Sequence, residues 1–309
     1  MARVPFNPKI GTIKTDANTS TDRGFIAHYQ VPNAAAESNV AIMALTALGA
    51  SASEVSTGLT DPDAPRNVKA VASKAGITTK VTVNGVNFAG DAISEEITLN
   101  GLTAVAGSLA FMAITSVELP ARTNAPAKQK ATVAVTQGAQ AAGTTVFTFT
   151  SAATGAAYDI SVAFLAADDT TAEAATKLAA GLNADATFAA KWLAASSDAN
   201  VTIESLTYEA QDATINLVVK TAGDSAITLG SITVNTVAGV AEDKVSVGVG
   251  KKFGIPYMLT ADELVFIKLF DNSADTGTVT ADDDELEKNV ISLNGTPNGA
   301  KNIDLYIVV

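Results

Sequence analysis

The sequence predicts a mainly β protein: a β-sandwich or barrel-like host domain, a small α+β domain inserted into it, and an extended N-terminal arm. Three observations carry this. Residues 68–119 read as short alternating strands punctuated by Asn-Gly and Gly-Asp pairs, which tolerate the positive φ of tight hairpins. That texture stops at Leu119-Pro120 and a polar stretch, then resumes in the same style near Val245. The residues between have Ala-rich helical spacing flanked by Thr/Val strands. The resulting boundaries are 1–30 for the arm, 31–129 plus 245–309 for a discontinuous host, and 130–244 for the insert. At 309 residues the length suits two domains, each large enough to bury a core.

Taken in order, residues 1–24 hold Pro5, Pro8, Gly11 and a Thr/Asn/Ser/Asp cluster, and read as irregular chain. Residues 25–31 alternate as a strand. Residues 34–48, with Val40, Ile42, Met43, Leu45 and Leu48, fit either a short helix or a buried strand. Asp61-Pro62-Asp63-Ala64-Pro65-Arg66-Asn67 is a turn, because each proline forces its predecessor out of the helical region. Strands follow at 68–72, from Lys80 through the Asn84-Gly85 pair, at 93–99 after Gly90-Asp91, and at 110–119. Phe111, Ile114, Val117 and Leu119 are core candidates there.

In the insert, strands are expected at 131–135, 144–150 and 158–166. Thr170 and Glu173 then have capping-box spacing ahead of a helix over 171–182 that carries Ala174, Ala175, Leu178 and Leu182. Residues 186–193 read as a second helical turn with Phe188, Trp192 and Leu193. Residues 201–208 and 214–220 read as a hairpin, followed by a strand at 232–237. The host resumes at 245–250, with strands at 264–270, 278–281, 289–293 and 303–309. Ile97-Thr98-Leu99-Asn100-Gly101 recurs as Ile291-Ser292-Leu293-Asn294-Gly295, which we read as shared hairpin chemistry rather than duplication.

Composition excludes much chemistry. There is no cysteine, hence no disulfide, thiolate metal site or cysteine nucleophile. With His28 the sole histidine, a multi-histidine zinc site is impossible. His28 lies in a strand-like run and reads as structural. The net charge of −12 disfavours nucleic-acid binding over most of the surface. The charge is uneven: Arg3, Lys9, Lys14 and Arg23 against Asp16 and Asp22 make the arm +2 and leave −14 elsewhere. A basic arm on an acidic body points to attachment to a partner. No apolar run is long enough for a membrane helix, and no signal peptide is expected, so the chain reads as soluble and made in the cytoplasm.

Candidate chemical motifs are sparse. Asp282-Asp283-Asp284-Glu285 with Glu287 is the densest carboxylate run, but it lacks the alternating spacing that turns ligands toward calcium, and a solvated turn is the better reading. Asp271-Asn272-Ser273-Ala274-Asp275-Thr276-Gly277 lacks a downstream bidentate Glu. Gly248-Val249-Gly250-Lys251-Lys252-Phe253-Gly254 departs from the phosphate-loop order and reads as a strand ending in a glycine turn. No catalytic residue, cofactor or metal is assigned.

Asp61-Pro62-Asp63-Ala64-Pro65-Arg66-Asn67-Val68, Val81-Thr82-Val83-Asn84-Gly85, Gly90 through Gly101, Ala110-Phe111, Val117 through Pro120, Val245 through Gly250, and Gly254-Ile255-Pro256 together resemble virion structural proteins of tailed bacteriophages. The resemblance is to the capsid decoration, cement or head-fibre kind and covers about 150 residues of the host. The insert, with its Asp168-Asp169-Thr170-Thr171-Ala172-Glu173 and Phe188/Trp192 pair, is similar to small α+β modules of phage surface proteins. The resemblance implies a non-enzymatic homo-oligomer, often a trimer, on the capsid surface, with the major capsid protein as partner. Arg3, Lys9, Lys14 and Arg23 are then the expected capsid contacts. A tail tube or baseplate subunit is the alternative in the same biology. A carbohydrate-binding adhesin or a hydrolase are alternatives outside it, each short of the aromatics or the polar constellation it needs.

Overall fold

The computed structural model describes residues 26–308. Its secondary structure is mainly β, in antiparallel sheets, with few helical turns. Contacts divide the chain into two compact units: Asn124–Glu242 forms one, and the chain on either side of it forms the other.

In the flanking unit the longest strand, Lys244–Gly254, is the spine of a six-stranded sheet. Arg66–Ala72 lies along one side of it, and Ser38–Ala47 and Val290–Ser292 pair with successive stretches of the other. Residues 34–48, open between helix and strand by periodicity, are thus a strand. A four-stranded sheet of Ser53–Val55, Ala113–Leu119, Lys80–Val86 and Ala92–Thr98 shares one apolar cluster with it. Val68, Ala70, Val245 and Val247 meet Val81, Val83, Ile97 and Val117 there. The candidates Phe111, Ile114, Val117 and Leu119 are all in this core. They belong to two strands, however, since residues 110–119 break at Met112 into Val105–Phe111 and Ala113–Leu119, which lie in different sheets. A third sheet, of Ile26–Val31, Ile303–Val308, Val265–Phe270 and Ser273–Ala274, closes a second cluster around Phe253, Ile291, Leu305 and Ile307.

The proline-rich turn before Arg66 uses nearly every polar side chain it carries. Asp61 accepts the Ile114 amide at 2.8 Å, and Asp63 accepts the Ala35 amide at 2.8 Å. Asn67 donates to the Gly107 carbonyl at 2.8 Å and accepts the Lys252 amide at 3.0 Å. Arg66 has no exposed surface. Its guanidinium donates to the carbonyls of Gly250 and Ala35 and to Asp63, and lies 4.4 Å over the Phe253 ring. Five donors in a rigid fork match this set, which an ammonium cannot.

The glycines of 248–254 are not a turn. They lie inside the spine strand because its neighbours approach too closely for side chains. A Cβ on Gly248 would stand 1.9 Å from the Ser38 carbonyl, and one on Gly250 would meet Asn67 at 2.3 Å.

The middle unit has a three-stranded sheet, Tyr158–Phe164, Gly143–Thr150 and Asn216–Thr221, and a second sheet built on Lys130–Gln137, Asn200–Ser205 and Trp192–Ser197. Helix α1, Thr171–Ala184, has Thr170 and Glu173 in a reciprocal capping box. Its buried side chains are the four expected from spacing, Ala174, Ala175, Leu178 and Leu182, together with Ala179. They share one core with side chains of both sheets, so α1 does more than cover a single face. Trp192 opens a strand rather than closing a helical turn, since the second helix, α2, is only Ala186–Ala189. Residues 201–208 and 214–220 are not a hairpin: Asn200–Ser205 pairs with Lys130–Gln137, whereas Asn216–Thr221 pairs with Gly143–Thr150.

Both passages between the units are paired. In the flanking unit the Thr123 amide donates to the Asp243 carboxylate at 2.9 Å. In the middle unit Ala127 and Val240 form an antiparallel bridge. Two outcomes follow. Replacing Arg66 by Met should leave the Gly250 carbonyl without its donor in a buried site, while the exposed Asp63 carboxylate stays solvated, and should cost about 1–3 kcal/mol in urea unfolding, with Arg66→Lys in between; a loss below about 0.5 kcal/mol for both would contradict the assigned role. Deleting Asn124–Glu242 and joining Thr123 to Asp243 through a short Gly/Ser linker should leave a soluble flanking unit with a β-type circular dichroism spectrum and a cooperative melt.

Candidate functional site

The expected attachment residues Arg3, Lys9, Lys14 and Arg23 lie outside the described residues. What the structure gives is the place from which that segment departs. Strand Ile26–Val31 pairs with Ile303–Val308, so the two ends of the described chain run antiparallel to each other. His28 lies here, with Nε2 2.8 Å from Asp304 Oδ1 and its ring stacked on Tyr306 at 4.6 Å between centroids. Gln30 donates to the same Asp304 oxygen at 2.8 Å. Asp304 is almost fully buried, so these two partners satisfy a carboxylate that solvent scarcely reaches. The cluster bolts the first strand to the last; its geometry is that of a fastening rather than of an acid–base pair facing a cleft. Beside it, burial pushes the Tyr29 phenol up to about 12.

The acidic motifs likewise turn inward onto backbone amides. Asp282 Oδ1 accepts the amides of Asp284 and Glu285 at 3.0 and 2.7 Å. These bonds hold its carboxyl below the usual range against desolvation, with a lesser contribution from the Lys288 ammonium. Asn289, fully buried, accepts the amides of Leu259 and Asp282 and donates to the carbonyls of Asp282 and Glu285. Asp275 accepts the amides of Gly277, Asn294 and Gly295, joining two turns. Among the described residues no three His, Asp or Glu side chains converge as a metal would require.

Sequence reading passed over a polar cluster at the root of the middle unit. Gln129, just inside the Ala127–Val240 bridge, accepts the Asp212 amide and donates to the Asp212 carbonyl, both at 2.7 Å. The Asp212 carboxylate in turn accepts Ser151 Oγ, the Ala152 amide, Thr214 Oγ1 and the Thr214 amide at 2.6–2.8 Å. Burial pushes this carboxyl up, but those hydrogen bonds outweigh burial and hold it below its ordinary range. The only advance signal was the Asp212–Thr214 spacing, which is that of a turn.

A carboxylate held low stabilises the fold above its unfolded pKa and stops doing so as pH falls through the folded one. The middle unit should therefore hold its melting temperature down to about pH 4 and lose it below. Asp212→Asn should cost about 1–3 kcal/mol at neutral pH and flatten the acid limb of the melting profile. An unchanged acid limb in that variant would mean that other groups set it.

No protein-family model, no curated protein and no solved structure matches this chain.

Proposed function

We propose that the chain is a non-enzymatic structural subunit of a tailed-bacteriophage virion, decorating the outside of the capsid as a homotrimer. In this reading the flanking unit is a β-sandwich host that sits on the head, and the middle unit is an inserted α+β module that it displays. The observation that carries it is the paired passage between units, Thr123 with Asp243 and Ala127 with Val240. A module whose ends leave from adjacent points interrupts its host at one place, which is how a domain is carried without disturbing the core beneath it.

Two further features support it. The sequence segments that resemble decoration proteins are those whose side chains make the host: Asp61, Asp63, Arg66 and Asn67 join loop, strand and spine, and Gly248 and Gly250 let the spine pack closely. The conspicuous acidic groups, Asp212, Asp275 and Asp282, spend their oxygens on backbone amides, as structural groups do. Residues 1–25 carry Arg3, Lys9, Lys14 and Arg23 against Asp16 and Asp22, and a basic arm on an acidic body suits the acidic rims of capsomers.

The reading is tested with the purified chain and empty heads. Light scattering should give a trimer whose melting temperature falls on dilution. The trimer should bind heads more weakly as salt rises, because exposed charge pairs are screened. Removing residues 1–24 should weaken binding and flatten its salt dependence. Undiminished decoration by the truncated protein would place the contact on the sheets instead, and a monomer indifferent to heads would end the proposal.

A further inference from the structure

Among the described residues the middle unit leaves two buried side-chain donors without a partner, the Tyr158 hydroxyl and the Trp192 indole, and the second belongs to a residue that borders a cavity of defined size. Trp192 is 3% exposed, and its indole Nε1 has no hydrogen-bonding partner among the described residues. Trp192 lines a cavity of about 20 Å³ together with Gln129, Ser205, Thr207, Glu209 and Asp212. A buried indole N–H ordinarily finds an acceptor.

Hydrogen-bond capacity identifies what fits. Both Gln129 side-chain protons are used, on the Asp212 carbonyl at 2.7 Å and on Asn235 Oδ1 at 2.5 Å. Gln129 Oε1 accepts one amide, that of Asp212, and keeps a lone pair free. Ser205 Oγ donates to the Thr207 carbonyl at 2.9 Å and accepts the Gln129 amide at 3.0 Å, which leaves one lone pair on the hydroxyl and one on the carbonyl. Trp192, Gln129, Ser205 and Thr207 thus supply one donor and up to three acceptor positions, and Lys191 and Glu209 add charged side chains to the lining. Volume then decides among ligands. One water needs about 10–15 Å³ by this measure, so the cavity holds one and not two, and a sugar ring or a carboxylate is far too large.

We propose that this cavity is a binding site for a single water molecule, which accepts from Trp192 Nε1–H and donates to two of the lone pairs on Gln129 Oε1, Ser205 Oγ and the Thr207 carbonyl. The water joins three separate segments: the start of strand Lys130–Gln137, the start of Trp192–Ser197, and the 206–212 connection. It does so beside the Ala127–Val240 bridge, where the chain enters and leaves the unit, so its effect is to stiffen the root of the module. This inference stands apart from the virion reading, since it needs only the folded chain.

Trp192 is the sole tryptophan, so its indole N–H gives a single, unambiguous resonance in the intact protein. A rotating-frame and laboratory-frame Overhauser pair should show a cross-peak from that proton to water, with the sign of a long-lived bound molecule rather than of exchange. The peak should persist in Thr207→Val, which removes a nearby hydroxyl able to relay magnetisation and leaves the Thr207 carbonyl in place. A peak lost in that variant overturns the proposal, as does no peak in the parent. A high-resolution crystal structure of the parent separates the bound water from relay through Ser205: water density about 2.7–3.2 Å from Nε1 supports the site, and a protein oxygen there overturns it.

Discussion

The flanking unit is organised around one buried cation. Arg66 stands at the first position of strand Arg66–Ala72, and its guanidinium binds the spine strand through the Gly250 carbonyl, the 34–37 segment through Ala35, and the proline turn through Asp63. Transferring a lone guanidinium from water to this site would be prohibitive; the anion, the two carbonyls and the Phe253 face make it tolerable only together. That dependence runs in both directions. The Gly250 carbonyl is reachable because Gly250 has no side chain and Asn67 fills the space beside it. The strand can carry glycine because its neighbours on both sides hold it through backbone pairing over most of its length. The arginine, the prolines and the glycines are one arrangement rather than three local features.

The middle unit solves a similar problem with an anion. Asp212 is held by amides and hydroxyls from 151–152 and 214, while its own amide and carbonyl bind the Gln129 side chain. Among the described residues its hydrogen-bond partners are neutral, so salt has less to screen there than at the exposed Lys130–Glu204 pair. Placing it next to the Ala127–Val240 bridge fixes both ends of the unit to its own core. The flanking unit has its counterpart in Asp243, whose carboxylate takes Lys74 at 2.7 Å as well as the Thr123 amide. Each side of the passage is therefore tied within its own unit.

What was legible in the sequence was what depends on neighbours in the chain. The Thr170–Glu173 capping box and the buried face of α1 are set by residues a few positions apart and formed as read, while the proline segment ends at Pro65, because Arg66 and Asn67 already belong to the strand. The misreadings share a different cause. Residues 201–208 and 214–220 alternate as strands, yet each found a partner far away in sequence, and alternation does not encode which edge is free. Phe188 and Trp192 stand at helical spacing and both are buried, but Asp185 caps only a single turn before the chain extends. Gly248 and Gly250 looked like a turn because the closeness of Ser38 and Asn67 is a tertiary fact. Gln129 carried no signal and Asp212 only that of a local turn with Thr214, since the two become a site only when remote segments meet.

Strand edges bear on assembly. A sheet edge left open is a template for another chain, and charge is one way to blunt it. The outer strand Ala92–Thr98 carries the Lys80–Glu96 pair across its ladder, and the two outer strands of the three-stranded sheet are joined by Lys220 and Asp159. Strand Ile26–Val31 differs. Among the described residues it pairs on one side only, and its polar side chains His28 and Gln30 are drawn back onto Asp304 rather than outward as guards.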